Sequence, residues 1–259
     1  MKRLLITLTL LANLSYAATP EQVEQYLLVS SAEEELLALE SQFSSMQNSF
    51  SKDDNASETK TYDMQMLSLR FKDYLQRHLS EDEMTEVLEN YKNVVLLQFV
   101  SATSDVPNHD KNETDTYVAS LKANPEAGVR MDLVEKISKK LYSKEALIIM
   151  FDGLMKPLVQ NGIGGDKLND KMLKGMKENY IKAMLETSKN ETLFATKDFT
   201  MEELEELLTI AKTPAIDHET KAVFGAMAYS LKEFFMSMAS RYDVSKHQSS
   251  STKDTNHSK

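Results

Sequence analysis

Breaks are what this chain lacks. Only 7 Gly and 5 Pro occur among its 259 residues. β-Sandwiches need turn signals roughly every 8–12 residues, and this chain cannot supply them. It is confined to helices joined by short loops. The spacing of apolar residues agrees, because three- and four-residue steps dominate. The expected fold is all-α: a helical bundle of two similar multi-helix units packed together, after a cleaved signal peptide.

Pro20 opens the first predicted helix, at a position where its missing N–H costs nothing. Val23, Leu27 and Leu28 share a face there, and Ser30-Ser31 permits a break. Leu36, Leu37, Leu39, Phe43, Met46 and Phe50 follow at helical spacing. Residues Ser51 to Lys60 read as a polar loop, and Met64, Leu67, Phe71, Tyr74 and Leu75 form the next stripe. Ser80-Glu81-Asp82-Glu83 is a capping box, in which the Ser hydroxyl meets an early backbone N–H and Glu83 reaches back. Met84, Val87, Leu88, Tyr91 and Val95 continue from it.

Thr103 to Thr116 is polar, contains Pro107 and reads as a linker, with a short helix expected at Thr116 to Lys122. Leu133, Ile137 and Leu141 begin a second series. Ala146 to Phe151 is apolar on all sides, which predicts a central buried helix that Pro157 kinks or ends. Met172, Met176, Tyr180 and Met184 align on the helix after the glycine-rich turn at 161–165. Thr200-Met201-Glu202-Glu203 is a second capping box, leading into Leu204, Leu207, Leu208 and Ala211. Val223, Met227, Leu231, Phe234 and Met238 mark the last long helix.

The two ends differ from this body. Lys2 and Arg3 precede an apolar stretch, Leu4 to Leu14, and Ser15-Tyr16-Ala17 then offers small residues where a signal peptidase reads. Residues 1–17 are therefore expected to be a cleaved signal, too short in its apolar part to span a bilayer. No Cys follows, which argues against a lipid anchor. The periplasm is the expected destination, with full secretion second. At the other end, residues 245–259 contain no apolar side chain and are expected to be a disordered tail; His247 and His257 lie in it. The expected units are 18–104 and 126–244, with 105–125 as the linker carrying the short helix.

Charge narrows the partners. Taking Lys2 and Arg3 from the 30 basic residues leaves 28 against 40 acidic ones, a net of −12. Nucleic acids and anionic lipid surfaces attract basic patches, so neither is an expected partner. No later segment has membrane-spanning length, so no transmembrane anchor is expected in the mature chain. With no Cys at all, stability has to come from packing.

The two capping boxes lie 120 residues apart. Placed over each other, Leu79 to Lys92 and Phe199 to Lys212 share Glu83/Glu203, Glu86/Glu206, Leu88/Leu208 and Lys92/Lys212. Upstream, Ser31-Ala32-Glu33 and Ser143-Lys144-Glu145 each precede an apolar helix. The reading is an internal repeat of about 110 residues.

The second half also resembles the bacterial extracytoplasmic family called domain of unknown function 2059. Phe199-Thr200, Glu203-Leu204, Leu207-Leu208 and Thr213-Pro214 match its pattern in order. The departures are Ile210-Ala211, where an aromatic pair is usual, and the lack of the usual Gly after Pro214. The first half keeps only the capped helix. The resemblance implies a helical bundle and brings no catalytic residue.

Chemistry is harder to find. Hydrolytic nucleophiles need an orienting His, and His78, His109 and His218 stand in no such pattern. No His-x-x-x-His pair suggests zinc. The turn at Gly162 to Gly165 lacks the strand and lysine spacing of a phosphate loop. Met64/Met66 and Met236/Met238 could in principle offer soft thioethers to Cu(I). Alternate helix residues face about 200° apart, however, so core packing is the plainer reading. The sequence singles out no catalytic, cofactor-binding or metal-ligating residue. The expected function is a non-enzymatic envelope factor that binds another envelope protein or a peptide. The alternatives are a muramidase-like hydrolase and a Met-based copper carrier.

Overall fold

Local chemistry sets where each helix begins. The computed structural model describes residues 16–48, 57–106, 111–161 and 168–250, so the expected signal lies almost wholly outside the described residues. Helix α1 (Pro20–Ser30) starts at a capping box in which Thr19 accepts from the Gln22 N–H and Gln22 accepts from the Thr19 N–H. It stops at Ser31, whose φ of 56° is left-handed. Such a residue turns the chain out of the helix, and α2 (Ala32–Asn48) restarts at once.

Helix α3 (Ser57–His78) is followed by α4 (Glu81–Asn90) and α5 (Val94–Asp105). The predicted capping box at Ser80 is present in both directions, and Asn93 caps α5. Ahead of α1 the chain runs beside this corner. The Ala18 N–H donates to the Leu79 carbonyl at 2.9 Å, and the Glu81 N–H donates to the Tyr16 carbonyl at 2.7 Å. Ala17 and Ser80 form an isolated bridge, and Ala18 is buried.

Helix α6 (Lys111–Ala123) leads through a single 3-10 turn to α7 (Gly128–Leu141) and α8 (Lys144–Met150). A π turn (Phe151–Met155) joins α8 to α9 (Lys156–Asn161). The Lys156 N–H reaches back five residues to the Phe151 carbonyl. Pro157 supplies no N–H and its ring crowds the carbonyl four residues earlier, so the widened turn carries the helix past it. Helices α10 (Asp170–Ala195), α11 (Met201–Ala211) and α12 (Pro214–Ser250) complete the chain. Among the described residues every regular element is helical, as expected, and no helix is long and apolar enough to cross a membrane.

Two series share one order: α1 to α5, and α7, α8 with α9, α10, α11, α12. In each, the first helix packs on the third, fourth and fifth. Across the series the fifth helices are exchanged. α3 and α4 pack on α12, while α10 and α11 pack on α5. One apolar core runs through both, including Leu36, Phe71 and Met84 from the first series and Leu204, Ala226 and Leu231 from the second. Backbones come close around α12: a Cβ placed on Gly153 would sit 2.9 Å from the Ala228 Cβ.

Several expectations need correction. The polar stretch from Thr103 is not a linker throughout. Helix α5 continues to Asp105, with the Thr103 and Ser104 hydroxyls bonded back to the Phe99 and Val100 carbonyls. Helix α6 is twice the expected short helix and packs on α10 through Val118. Ser57 to Lys60, read as loop, already belong to α3. Helix α12 extends to Ser250, into the segment expected to be tail. On α10 the buried line is Leu173, Ile181, Ser188 and Thr192, whereas Met172 and Met176 face outward. Leu28 is also exposed, and Ile148 and Ile149 are only half-buried.

Candidate functional site

The first turns of α12 bury Ile216, Glu219, Thr220 and Val223 along one stripe. Glu219 is the oddity, a carboxylate at a position that periodicity assigns to the core. Its side chain meets two phenols from the first series. Tyr26 Oη donates to Glu219 Oε1 at 2.8 Å, and Tyr91 Oη donates to the same oxygen at 2.5 Å. Tyr26 lies on the buried face of α1 and Tyr91 ends α4. Their rings meet edge to face, with centroids 5.8 Å apart.

These groups line a cavity of about 110 Å³ at the junction of the two series. Glu35 of α2 and Tyr142, just after α7, line it too, together with Leu96, Phe99 and Phe224. Among the described residues lining it there is no Lys, Arg or His.

An ionised carboxylate is costly away from water. Burial pushes the Glu219 carboxyl up to about 7, against the pull of the two phenol hydrogen bonds. Burial first, and the Glu219 charge second, raise both Tyr26 and Tyr91 well above the usual phenol range. Glu35 is pushed up to about 7 by loss of hydration and then by the charges of Glu219, Glu191 and Glu34. Part of the Glu35 side chain is open to solvent, which places it where the cavity meets the surface. Glu219 is the carboxyl that the site buries.

The residues weighed from sequence do not gather here. His218, exposed on α12, has Nδ1 3.0 Å from Glu83 Oε1. The Ser80 N–H and hydroxyl, with His218, hold the Glu83 carboxyl below its usual value. His78 stacks on Tyr74 and its Nδ1 lies 2.8 Å from the Tyr74 carbonyl. His109, His257, Gly162 to Gly165 and the side chains of Met64, Met238 and His247 lie outside the described residues. Met66 is half-buried and Met236 exposed. No group of three or more Asp, Glu or His among the described residues is placed to hold a metal ion.

Sequence reasoning missed Glu219, Tyr26 and Tyr91 as a set. The available signal was a Glu at an apolar stripe position, three residues after Ile216 and four before Val223. Compared with known families, curated proteins and solved structures, the chain matches no family model, no curated protein and no solved structure.

Proposed function

We propose that this protein is an exported, non-enzymatic binding factor of the bacterial envelope that works in the periplasm. Its body is two helical units derived from one by duplication, and its partner is another envelope protein or a peptide. The basic and apolar pattern of residues 1–17 supports the address. The common helix order and the exchanged fifth helices support the duplication. The likeness of residues 199–214 to domain of unknown function 2059 fits the same picture of an exported helical bundle.

The observation that carries binding is the cavity between the series. Pockets that enclose whole small molecules run to roughly 300–1,000 Å³. A cavity of about 110 Å³ takes only the tip of something larger that stays outside. The test is capture from envelope extract by cross-linking, followed by reassembly of the complex from purified components. A defined partner that rebinds supports the reading, and repeated failure under mild conditions counts against it.

A second reading rests on Glu219 alone. A carboxyl pushed up to about 7 is suited to general acid work, as in glycoside hydrolysis. It predicts release of sugar ends from peptidoglycan by the wild type and none by Glu219→Gln.

A further inference from the structure

The cavity holds an electrostatic imbalance. Glu219 and Glu35 bring two carboxyl groups to it, and no cationic side chain lines it. Buried carboxylates are normally paired. Here the only bonded partners of Glu219 Oε1 in the lining are two phenols. Each phenol spends its proton on the carboxylate; the Tyr91 oxygen keeps lone pairs that can accept, and the Tyr26 oxygen, already bonded to Ser30, keeps one fewer. Most of the remaining wall is aromatic or aliphatic, with Phe99, Tyr142, Leu96 and Val223, and the Ser30, Thr103 and Thr220 hydroxyls complete it. Only two carboxyl groups reach the cavity, and no group of three or more Asp, Glu or His among the described residues is placed to hold a metal ion. Carboxylate, phenol oxygens and ring faces together suit an organic ammonium on an aliphatic stem.

We propose that the cavity seats a primary ammonium group, the lysine side chain of a bound partner, between Glu219 and the phenols of Tyr26 and Tyr91. This deepens the partner-binding reading and rests on it. The stem lies against the apolar wall, the ammonium donates to Glu219 and to the phenol oxygens, and Glu35 draws the cation to the opening. Ammonium and proton compete for one carboxylate. The groups facing Glu219 are Tyr26, Tyr91, Glu35 and Tyr142, all anionic or neutral, so none supplies the missing positive charge.

The test is an NMR titration of the purified protein with ¹³C-labelled Tyr rings at pH 8. The probes are n-butylammonium, the capped peptide Gly-Lys-Gly and the same peptide with norleucine in place of lysine. Saturable shifts of the Tyr26 and Tyr91 rings are expected with the first two. Binding should be at least tenfold weaker for the norleucine peptide, at least tenfold weaker at pH 5.5, and lost in Glu219→Gln with its helical circular dichroism unchanged. Tyr91→Phe keeps the carboxylate and should weaken binding less. If the norleucine peptide binds equally, or Glu219→Gln binds unchanged, the ammonium assignment is overturned. If n-butylammonium binds and the lysine peptide does not, the ligand is a free amine and the partner's lysine is overturned. If no probe shifts the rings, the ammonium site is overturned, while partner binding is still judged by capture from the envelope.

Discussion

The two junctions where the helical series meet are built from different chemistry. At one, α12 carries Glu219 toward Tyr26 and Tyr91. At the other, α5 takes the place of α12. The offset of the capping boxes sets Phe99 where Glu219 stands and Ala211 where Tyr91 stands. Matching the buried faces of α1 and α7 sets Ile137 where Tyr26 stands. Phe99, Ala211 and Ile137 are all apolar and buried. The matched positions hold ordinary core residues, and Phe99 among them also lines the Glu219 cavity. A polar cluster where apolar packing is the rule is a local exception of the kind that functional sites make.

This contrast can be broken most forcefully in the core. Met84 and Leu204 occupy matching places on α4 and α11, and both are fully buried. Truncation of either to Ala should cost about 2–5 kcal/mol. Because both belong to one continuous core, urea unfolding of each variant should remain a single transition. A split transition in only one variant would show that the halves unfold separately.

Acidity comes next. A carboxyl raised from about 4.5 to about 7 in the folded state binds its proton more tightly folded than unfolded. The native state then holds more protons between these values, so stability is highest below pH 4.5 on this account and falls as pH rises through 7. For Glu219 the fall is about 3 kcal/mol, at 1.36 kcal/mol per unit. Urea midpoints measured from pH 5 to 8 should decline more steeply in the wild type than in Glu219→Gln. Parallel slopes would remove Glu219 as the cause.

The junction itself can be converted. Glu219→Leu alone strands two buried hydroxyls and should cost about 2 kcal/mol or more. Adding Tyr26→Phe and Tyr91→Phe makes this junction apolar like the other and should recover most of the loss. Recovery would be read as a return of the urea midpoint toward wild type, and its absence would mean that the cluster is needed for folding.

The smallest effect tests the starts of α4 and α11. Ser80→Ala and Thr200→Ala each remove a capping box and should cost about 1 kcal/mol. The loss should be somewhat larger at Ser80, since Glu83 also holds His218. Equal thermal shifts would show that the His218 contact adds nothing.

What was legible in the sequence was local. Both capping boxes were readable because Ser80 with Glu83, and Thr200 with Glu203, lie within one turn. The stripes on α4, α11 and α12 were readable because packing follows the helical period. The extent of α5 was not, since Thr103 and Ser104 look like loop residues until their hydroxyls find carbonyls one turn back. The outward turn of Met172 depends on which face of α10 meets α7. The site was least legible of all. Tyr26 and Tyr91 stand 193 and 128 residues from Glu219, and no local pattern reports a contact across that distance.

The short backbone pairing beside α4 carries a consequence for timing. Tyr16, Ala17 and Ala18 straddle the expected cleavage point, and the folded body holds them against Leu79, Ser80 and Glu81. A protease requires its target strand free and extended. Once α3 and α4 have met, this strand is occupied at the very bonds it must expose. On the reading of residues 1–17 as a signal, maturation and folding become a race, and export must keep the chain open long enough for the cut to come first.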